Sequence, residues 1–139
     1  LKSWAEYPAE EWLNQSIFAV KQDTKILDQY ILVKGAESLR TSFDKHELDP
    51  ESIDHVLAHI SSGYFKEGLK NEFANVGLDF PWEKWFYNLS EVGNIGAGSI
   101  FIAVEQLMNS GKLKKGEKIL LCVPESGRFA YSCALLTVC

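Results

Sequence analysis

Two short segments of the chain each lead from an apolar stretch through a small turn into the start of a helix-like pattern. The first, LAHISSG, places His59 just after an apolar run, and the second, EVGNIGAGSI, places Asn94 in a glycine-rich turn. Repetition of strand, turn and helix is typical of α/β domains, in which helices cover a central sheet. These segments therefore predict an α/β fold and put two polar side chains at turns that follow strands.

The first half of the chain predicts a long helix, a strand and a second helix. Apolar residues recur mostly every three or four positions over residues 16–46, which indicates one amphipathic helix. After a turn-forming Asp-Pro pair, residues 52–60 form an apolar run that predicts a buried strand. Ser61 and Ser62 are suitable N-caps for the next helix, which we expect to end near Asn75.

The second half repeats this order and ends in a hairpin. Residues 85–89 predict a short strand, and residues 100–111 predict a buried helix after the glycine-rich turn. Two apolar strands, 118–123 and 129–138, are joined by the sequence PESGR, which is short enough for an antiparallel connection. We therefore expect a mixed sheet of about four strands, packed with helices on both faces.

Composition restricts the classes of partner and compartment. The chain has 139 residues, is 46% hydrophobic and carries a net charge of −5. Phosphate binding needs a concentrated basic surface, so nucleic acid is not an expected partner. The sequence has no apolar run of about eighteen residues and no secretory leader pattern. We expect a cytoplasmic protein that does not bind membranes.

The sulfur-containing residues bear on redox state and on chain boundaries. Cys122, Cys133 and Cys139 lie in apolar, strand-like segments, which suits reduced thiols better than a disulfide framework. The single methionine, Met108, lies inside a predicted helix, so we do not expect Leu1 to be a translation start. We expect either that a preceding segment was cleaved away or that the chain is a piece of a longer polypeptide.

His59 and Asn94 each have an ordinary structural explanation. A lone histidine at the end of an apolar strand is more often a hydrogen-bonded core residue, and His55 keeps that interpretation. Asn94 can simply tolerate a left-handed backbone in a tight turn. The glycine segment lacks the order of the common nucleotide-binding loops. Held together, however, a neutral imidazole and a carboxamide can both donate hydrogen bonds to one carbonyl oxygen.

Three sequence anchors occur in a fixed order: DPESIDHVLAHISS, then VGNIGAGSIFIAVEQLMNSGKLKKGEKILLCV, then the closing hairpin. With these anchors the chain, from about Phe18 to its end, resembles the C-terminal half of ketoacyl synthase III type condensing enzymes of the thiolase superfamily. In that family two similar halves pack as a five-layered α-β-α-β-α sandwich around the active site. The resemblance implies that residues 1–139 are a thiolase-like C-terminal domain without the N-terminal half, and that the intact protein is a homodimer.

The resemblance also implies roles for individual residues. His59 matches the histidine of the His-Gln-Ala-Asn signature, and Asn94 matches the asparagine of the Gly-Asn-Thr motif. In relatives these two bind the malonyl thioester carbonyl, and the enolate formed by decarboxylation attacks an acyl group carried on a cysteine. Gly127 matches a glycine whose amide contributes to the oxyanion hole, and Ser62 and Phe129 are expected to bind substrate. The nucleophilic cysteine belongs to the absent half.

Two functions follow from the resemblance. The first is decarboxylative condensation of an acyl thioester with a malonyl-type thioester on coenzyme A or acyl carrier protein, with the isolated chain inactive. The second is a non-catalytic partner subunit of a ketosynthase heterocomplex. Where the signature has Gln-Ala-Asn, this chain has Ile60, Ser61 and Ser62, so the substrate, whether of fatty acid or polyketide synthesis, stays open. No metal or organic cofactor is implied, because the histidines lack zinc-site spacing.

Overall fold

A three-stranded mixed sheet with helices on both faces organises the chain. The computed structural model describes residues 3–19 and 23–139. The helices are α1 (Glu11–Asn14), α2 (Thr24–Lys45), α3 (Phe65–Asn75), α4 (Leu89–Val92) and α5 (Ser99–Asn109), and the strands are β1 (His55–Ala58), β2 (Lys118–Glu125) and β3 (Ala130–Thr137). Short 3-10 turns lie at Trp4–Glu6, Pro50–Ser52, Trp82–Lys84 and Gly96–Gly98.

Strand β2 lies at the centre of the sheet. It pairs in parallel with β1, where Val56 lies opposite Leu120, and antiparallel with β3, where Cys122 lies opposite Cys133. The predicted mixed sheet and closing hairpin are therefore confirmed. Because β1 and β2 are parallel, their carboxyl ends meet at one edge of the sheet, and the β2–β3 hairpin turns back at that same edge.

The strand predicted over residues 85–89 is reduced to one bridge, so the described sheet has three strands instead of about four. Trp85 pairs with Val56, and the Phe86 N–H donates to the Val56 carbonyl. The Trp85 ring stacks on Phe73 at 5.8 Å, and its indole N–H donates to the Phe80 carbonyl. The Trp85 side chain anchors this segment to the core. The chain then enters α4, so the pairing with β1 does not continue beyond one bridge.

The two faces of the sheet bury different side chains because successive strand residues point to opposite sides. One face packs against α2 and α3 and contains the larger core, whose fully buried members are Ala36, Leu39, Phe43, Ile53, Val56, Phe73, Leu78, Phe80 and Leu120. The other face packs against α5 through a smaller core made of Leu57, Ile100, Ala103, Leu107 and Ile119. Helices thus cover both faces, as predicted.

The long helix begins later than the periodicity predicted. The prediction over residues 16–46 is wrong at its start, because Ser16 has a left-handed backbone (φ 48°) and residues 16–18 form a turn. Residues 20–22 lie outside the described residues. The Asp23 carboxylate accepts the N–H groups of Lys25 and Ile26 at 3.0 and 3.2 Å, which caps α2 at Thr24. Its predicted end near residue 46 is confirmed.

Two further boundaries depart from the predictions. Ser61 and Ser62 are not the N-caps of α3, since that helix begins after Tyr64, and the Ser62 hydroxyl accepts the Tyr64 N–H in the preceding turn. Phe129 does not begin the last strand, because its φ of 52° places it in the hairpin turn. Among the described residues, no helix combines the length and apolar character needed to span a bilayer.

Phe73 provides a test of the larger core, because it is 2% exposed and contacts the rings of both Phe80 and Trp85. We expect Phe73→Ala to lower the free energy of unfolding by about 3–5 kcal/mol, through lost burial and the cavity that remains. Phe101→Ala is the matched control, since that ring is 75% exposed, and it should change stability by about 0.5 kcal/mol or less. Urea unfolding followed by circular dichroism measures both; equal losses would contradict this account of the core.

Candidate functional site

His59 is held at the end of the parallel strand pair. Its backbone N–H donates to the Cys122 carbonyl at 2.8 Å, which continues the β1–β2 ladder one residue beyond β1. The imidazole is half-buried, and this burial lowers the pKa of His59, since desolvation disfavours the charged ring. A histidine with a lowered pKa is neutral at pH 7, with one ring nitrogen able to donate and the other able to accept.

Asn94 links the turn between α4 and α5 to the loop that follows β1. It lies in the turn between α4 and α5, where Gly93 and Gly96 both have positive φ, 77° and 65°. The prediction that Asn94 follows a strand is therefore wrong, because the chain forms α4 before this turn. Its Oδ1 accepts the Gly96 N–H at 2.9 Å, and its Nδ2 makes a long hydrogen bond of 3.4 Å to the Ser61 carbonyl. The fold therefore brings the Asn94 turn against the loop that begins at His59, and one Nδ2 hydrogen of Asn94 is left for a ligand.

A small crevice lies beside His59, where the loop after β1 meets the turn between α4 and α5. It has a volume of about 20 Å³, and His59, Gly93 and Ser99 are among its lining residues. A space of this size holds about one water-sized group. The crevice is thus large enough for a single oxygen atom next to the neutral imidazole.

A second, larger cavity opens on the other side of His59, between the sheet and helices α2 and α3. Its volume is about 210 Å³, and most of its lining is apolar, including Leu27, Ile31, Leu69 and Phe73. For comparison, an apolar cavity of roughly 150 Å³ accommodates benzene. His59 therefore lies between a crevice that fits one atom and a cavity that fits an apolar group of several carbons.

Gly127 lies at the tip of the β2–β3 hairpin, and its amide already has a partner. The Gly127 N–H donates to Glu125 Oε1 at 2.6 Å, and the Arg128 N–H donates to Glu125 Oε2 at 3.0 Å. A carboxylate that accepts two successive amides forms a stable turn, as side-chain to backbone bonds commonly do. The amide expected to face an oxyanion is engaged by a side chain of the same hairpin.

The other two predicted substrate residues line neither cavity around His59. Ser62 is exposed and bonds to the turn before α3, and Phe129 is half-buried in the hairpin turn. Their neighbours Ser61, Ser126 and Tyr131 line the larger cavity instead.

Sequence reasoning missed three side chains of this cavity. Tyr131 lines it and donates its hydroxyl to the Ile31 carbonyl at 2.8 Å, and Cys122 and Cys133 line it as well. A signal was present, because Tyr131 and Cys133 are two positions apart and so share one face of β3. The hairpin register, which places Cys133 opposite Cys122, was needed to bring all three together.

His55 lies at the opposite end of β1 and has a structural partner. Its Nε2 lies 2.9 Å from Glu117 Oε2, and this hydrogen bond, followed by one from the Lys114 N–H, lowers the pKa of Glu117. Over residues 3–19 and 23–139, no three side chains of the metal-binding types converge.

Comparison with known proteins places this arrangement in a family. Residues 43–138 match the family model described as 3-oxoacyl-(acyl-carrier-protein) synthase III C terminal. The chain is 27% identical over 119 residues to beta-ketoacyl-(acyl-carrier-protein) synthase III of Koribacter versatilis, a match that covers 86% of this chain and 34% of that protein. The chain therefore spans about a third of the length of that relative.

Solved structures agree with the sequence match. The 3-oxoacyl-(acyl-carrier-protein) synthase III of Aquifex aeolicus superposes with a TM-score of 0.69 at 27% identity, over 84% of this chain and 36% of that one. OleA of Xanthomonas campestris superposes with a TM-score of 0.67 at 26% identity, over 84% and 32% respectively. The predicted thiolase-like fold is thus confirmed, and the chain belongs to the 3-oxoacyl-(acyl-carrier-protein) synthase III family, whose C-terminal part it matches.

Proposed function

We propose that the intact protein condenses an acyl thioester with a malonyl-type thioester, with loss of carbon dioxide, and that residues 1–139 are its C-terminal domain. The thioesters are carried on coenzyme A or acyl carrier protein. One observation carries the proposal: His59, kept neutral by burial, lies between a crevice for one oxygen atom and an apolar cavity, with the Asn94 turn bonded to its loop.

His59 and Asn94 act on the malonyl group. When carbon dioxide leaves, the bonding electron pair stays on the α-carbon and is delocalised onto the thioester oxygen, which becomes an enolate oxygen. Hydrogen bonds from the His59 ring N–H and the Asn94 amide stabilise that developing charge. A neutral imidazole donates to the oxygen without first requiring a proton from solvent. The crevice of about 20 Å³, which is lined by His59 and by Gly93 but not by Asn94 itself, supports His59 as one donor to that oxygen.

The acyl group is carried by a nucleophile outside this chain. Condensation through an acyl-enzyme requires an activated thiol, and Cys122 is buried, with its pKa raised by its hydrogen bond to Cys133 and by burial. Cys133 is exposed and its pKa is lowered, but it lies in the closing hairpin and does not match the family's nucleophilic cysteine, which belongs to the N-terminal half. We therefore expect the isolated chain to be inactive. A homodimer and a cytoplasmic location are part of the same proposal. The largely apolar cavity of about 210 Å³ supports an apolar acyl group over a charged one.

A second candidate is a non-catalytic subunit that pairs with an active synthase. The observation in its favour is the hairpin tip, where the Glu125 carboxylate occupies the amides of Gly127 and Arg128. A carboxylate in that position competes with an oxyanion for the same donors. Incubating the intact protein with a labelled acyl-coenzyme A separates the two: a hydroxylamine-sensitive label on a cysteine outside this chain supports the enzyme, and its absence supports the subunit.

Substitution of His59 tests its assigned role. In the intact protein, we expect His59→Ala to slow malonyl decarboxylation about 10²–10³-fold, as loss of one oxyanion donor does elsewhere, while acylation of the nucleophile is largely unchanged. His55→Ala is the matched control, because His55 bonds to Glu117 at the far end of the same strand. Release of labelled carbon dioxide measures the rate. Decarboxylation by the His59 variant at the wild-type rate would exclude the role.

The protonation of His59 can be measured on the chain itself. Because burial lowers its pKa in the folded state, we expect an NMR titration midpoint below 6.5, with His59→Gln used to assign the signal and urea-unfolded chain as the reference. The unfolded chain then takes up the proton first as pH falls. This histidine should therefore lower the free energy of unfolding progressively as pH falls from 6.5 through its folded pKa, and the loss should persist at lower pH. His59→Gln should remove that contribution. A folded midpoint at or above the unfolded one would contradict the neutral donor.

A further inference from the structure

Two free cysteines face each other across the β2–β3 ladder. Cys122 and Cys133 are direct partners in the antiparallel register. The carbonyls of Lys118 and Cys122 accept the N–H groups of Asp54 and His59, so the backbone groups of these alternate β2 residues face β1 and not β3. Bonded and non-bonded pairs alternate along an antiparallel ladder, and Cys122 and Cys133 therefore form a non-bonded pair. Such pairs have Cα atoms about 4.5 Å apart, within the range of about 4.4–6.8 Å that a disulfide spans.

The two thiols differ in access and acidity. Cys122 is 8% exposed, whereas Cys133 is exposed. A hydrogen bond between the two side chains lowers the pKa of Cys133 and, together with burial, raises the pKa of Cys122. The thiolate is the form of cysteine that attacks oxidants, so the exposed Cys133, with its lowered pKa, is the first to react. The buried Cys122 thiol then lies beside it, as a resolving cysteine does.

We propose that Cys122 and Cys133 form a redox-sensitive dithiol that hydrogen peroxide converts to a cross-strand disulfide. The Cys133 thiolate attacks peroxide, takes one oxygen to become a sulfenic acid and releases hydroxide. The Cys122 thiol then attacks the Cys133 sulfur, the S–O bond breaks, and the oxygen leaves as water while the S–S bond forms. Two thiols are thereby oxidised and one peroxide is reduced to water. A small thiol such as dithiothreitol reverses the reaction by exchange.

The position of the pair links this chemistry to the His59 site. Both cysteines line the cavity of about 210 Å³ that His59 also lines. The Cys122 carbonyl is the acceptor for the His59 N–H at 2.8 Å. Oxidation therefore removes two thiol hydrogens from the wall of this cavity. It also joins strand β3 covalently to β2 at Cys122, the residue whose carbonyl accepts the His59 N–H. This inference does not depend on the proposed condensing activity.

Cys139 serves as an internal control. It is exposed near the end of the chain, its Sγ bonds only locally to the Thr137 carbonyl at 3.8 Å, and it lies beyond β3. A general reactivity of exposed thiols would modify Cys139 as readily as Cys133. A geometric effect of the ladder would connect Cys133 to Cys122 and leave Cys139 reduced.

The experiment uses the full chain at low concentration, treated with hydrogen peroxide. We expect the number of titratable thiols to fall from three to one and to return to three with dithiothreitol. Trypsin cuts after Lys118 and Arg128, so the disulfide joins peptide 119–128 to peptide 129–139. Because the second peptide also contains Cys139, the digest is repeated with Cys139→Ser, in which the same peptides should remain joined.

Cys133→Ser should abolish the linkage, and because this side chain is exposed the variant should fold, which circular dichroism checks. Three results would overturn the proposal: linkage through Cys139, disulfides only between chains on a non-reducing gel, or oxidation of Cys133 to sulfinic acid without linkage. The peptide map of the unmodified chain decides the matter even if a variant misfolds.

Discussion

The parallel pairing of β1 with β2 is the interaction on which the rest of the structure depends. Strand β1 has only four residues, and it is held because Val56 and Leu57 are both buried, one under α2 and α3 and the other under α5. Such two-sided burial is typical of parallel strands, which are stable only when helices cover both faces of the sheet. Each helical layer therefore supports the same short strand, and loss of either layer weakens the pairing.

The same pairing positions the candidate site. The ladder extends to the His59 N–H, so the imidazole is placed by backbone hydrogen bonds and not by a free loop. The parallel strands end at one edge, where the Asn94 turn, the β2–β3 hairpin and the α2–α3 cavity converge. Sites at the carboxyl ends of parallel strands are a general property of α/β sheets. Burial at this edge keeps His59 neutral, while the cavity beside it remains apolar.

Local signals explain which predictions agree with the structure. The motif around His59 marks a real strand end, whereas the motif around Asn94 follows helix α4 instead of a strand, and the Asn94 turn is found against the His59 loop. The start of α2 was missed because a left-handed Ser16 and the capping Asp23 interrupt a periodicity that looks continuous in the sequence. The strand at 85–89 was wrong because the Trp85 ring packs on Phe73, a contact between residues distant in the chain.

The sequence by itself determined the α/β class, the order of most elements and the positions of His59 after a strand and of Asn94 before a helix, because these depend on periodicity and on turn residues. Tertiary structure decided how many strands pair, which cysteines face each other, and that Glu125 engages the Gly127 amide. It also placed Tyr131 and Cys133, instead of Ser62 and Phe129, in the cavity wall. The physical reason is register: a shift of one residue along a strand sends every side chain to the opposite face, and only packing between distant segments selects the register.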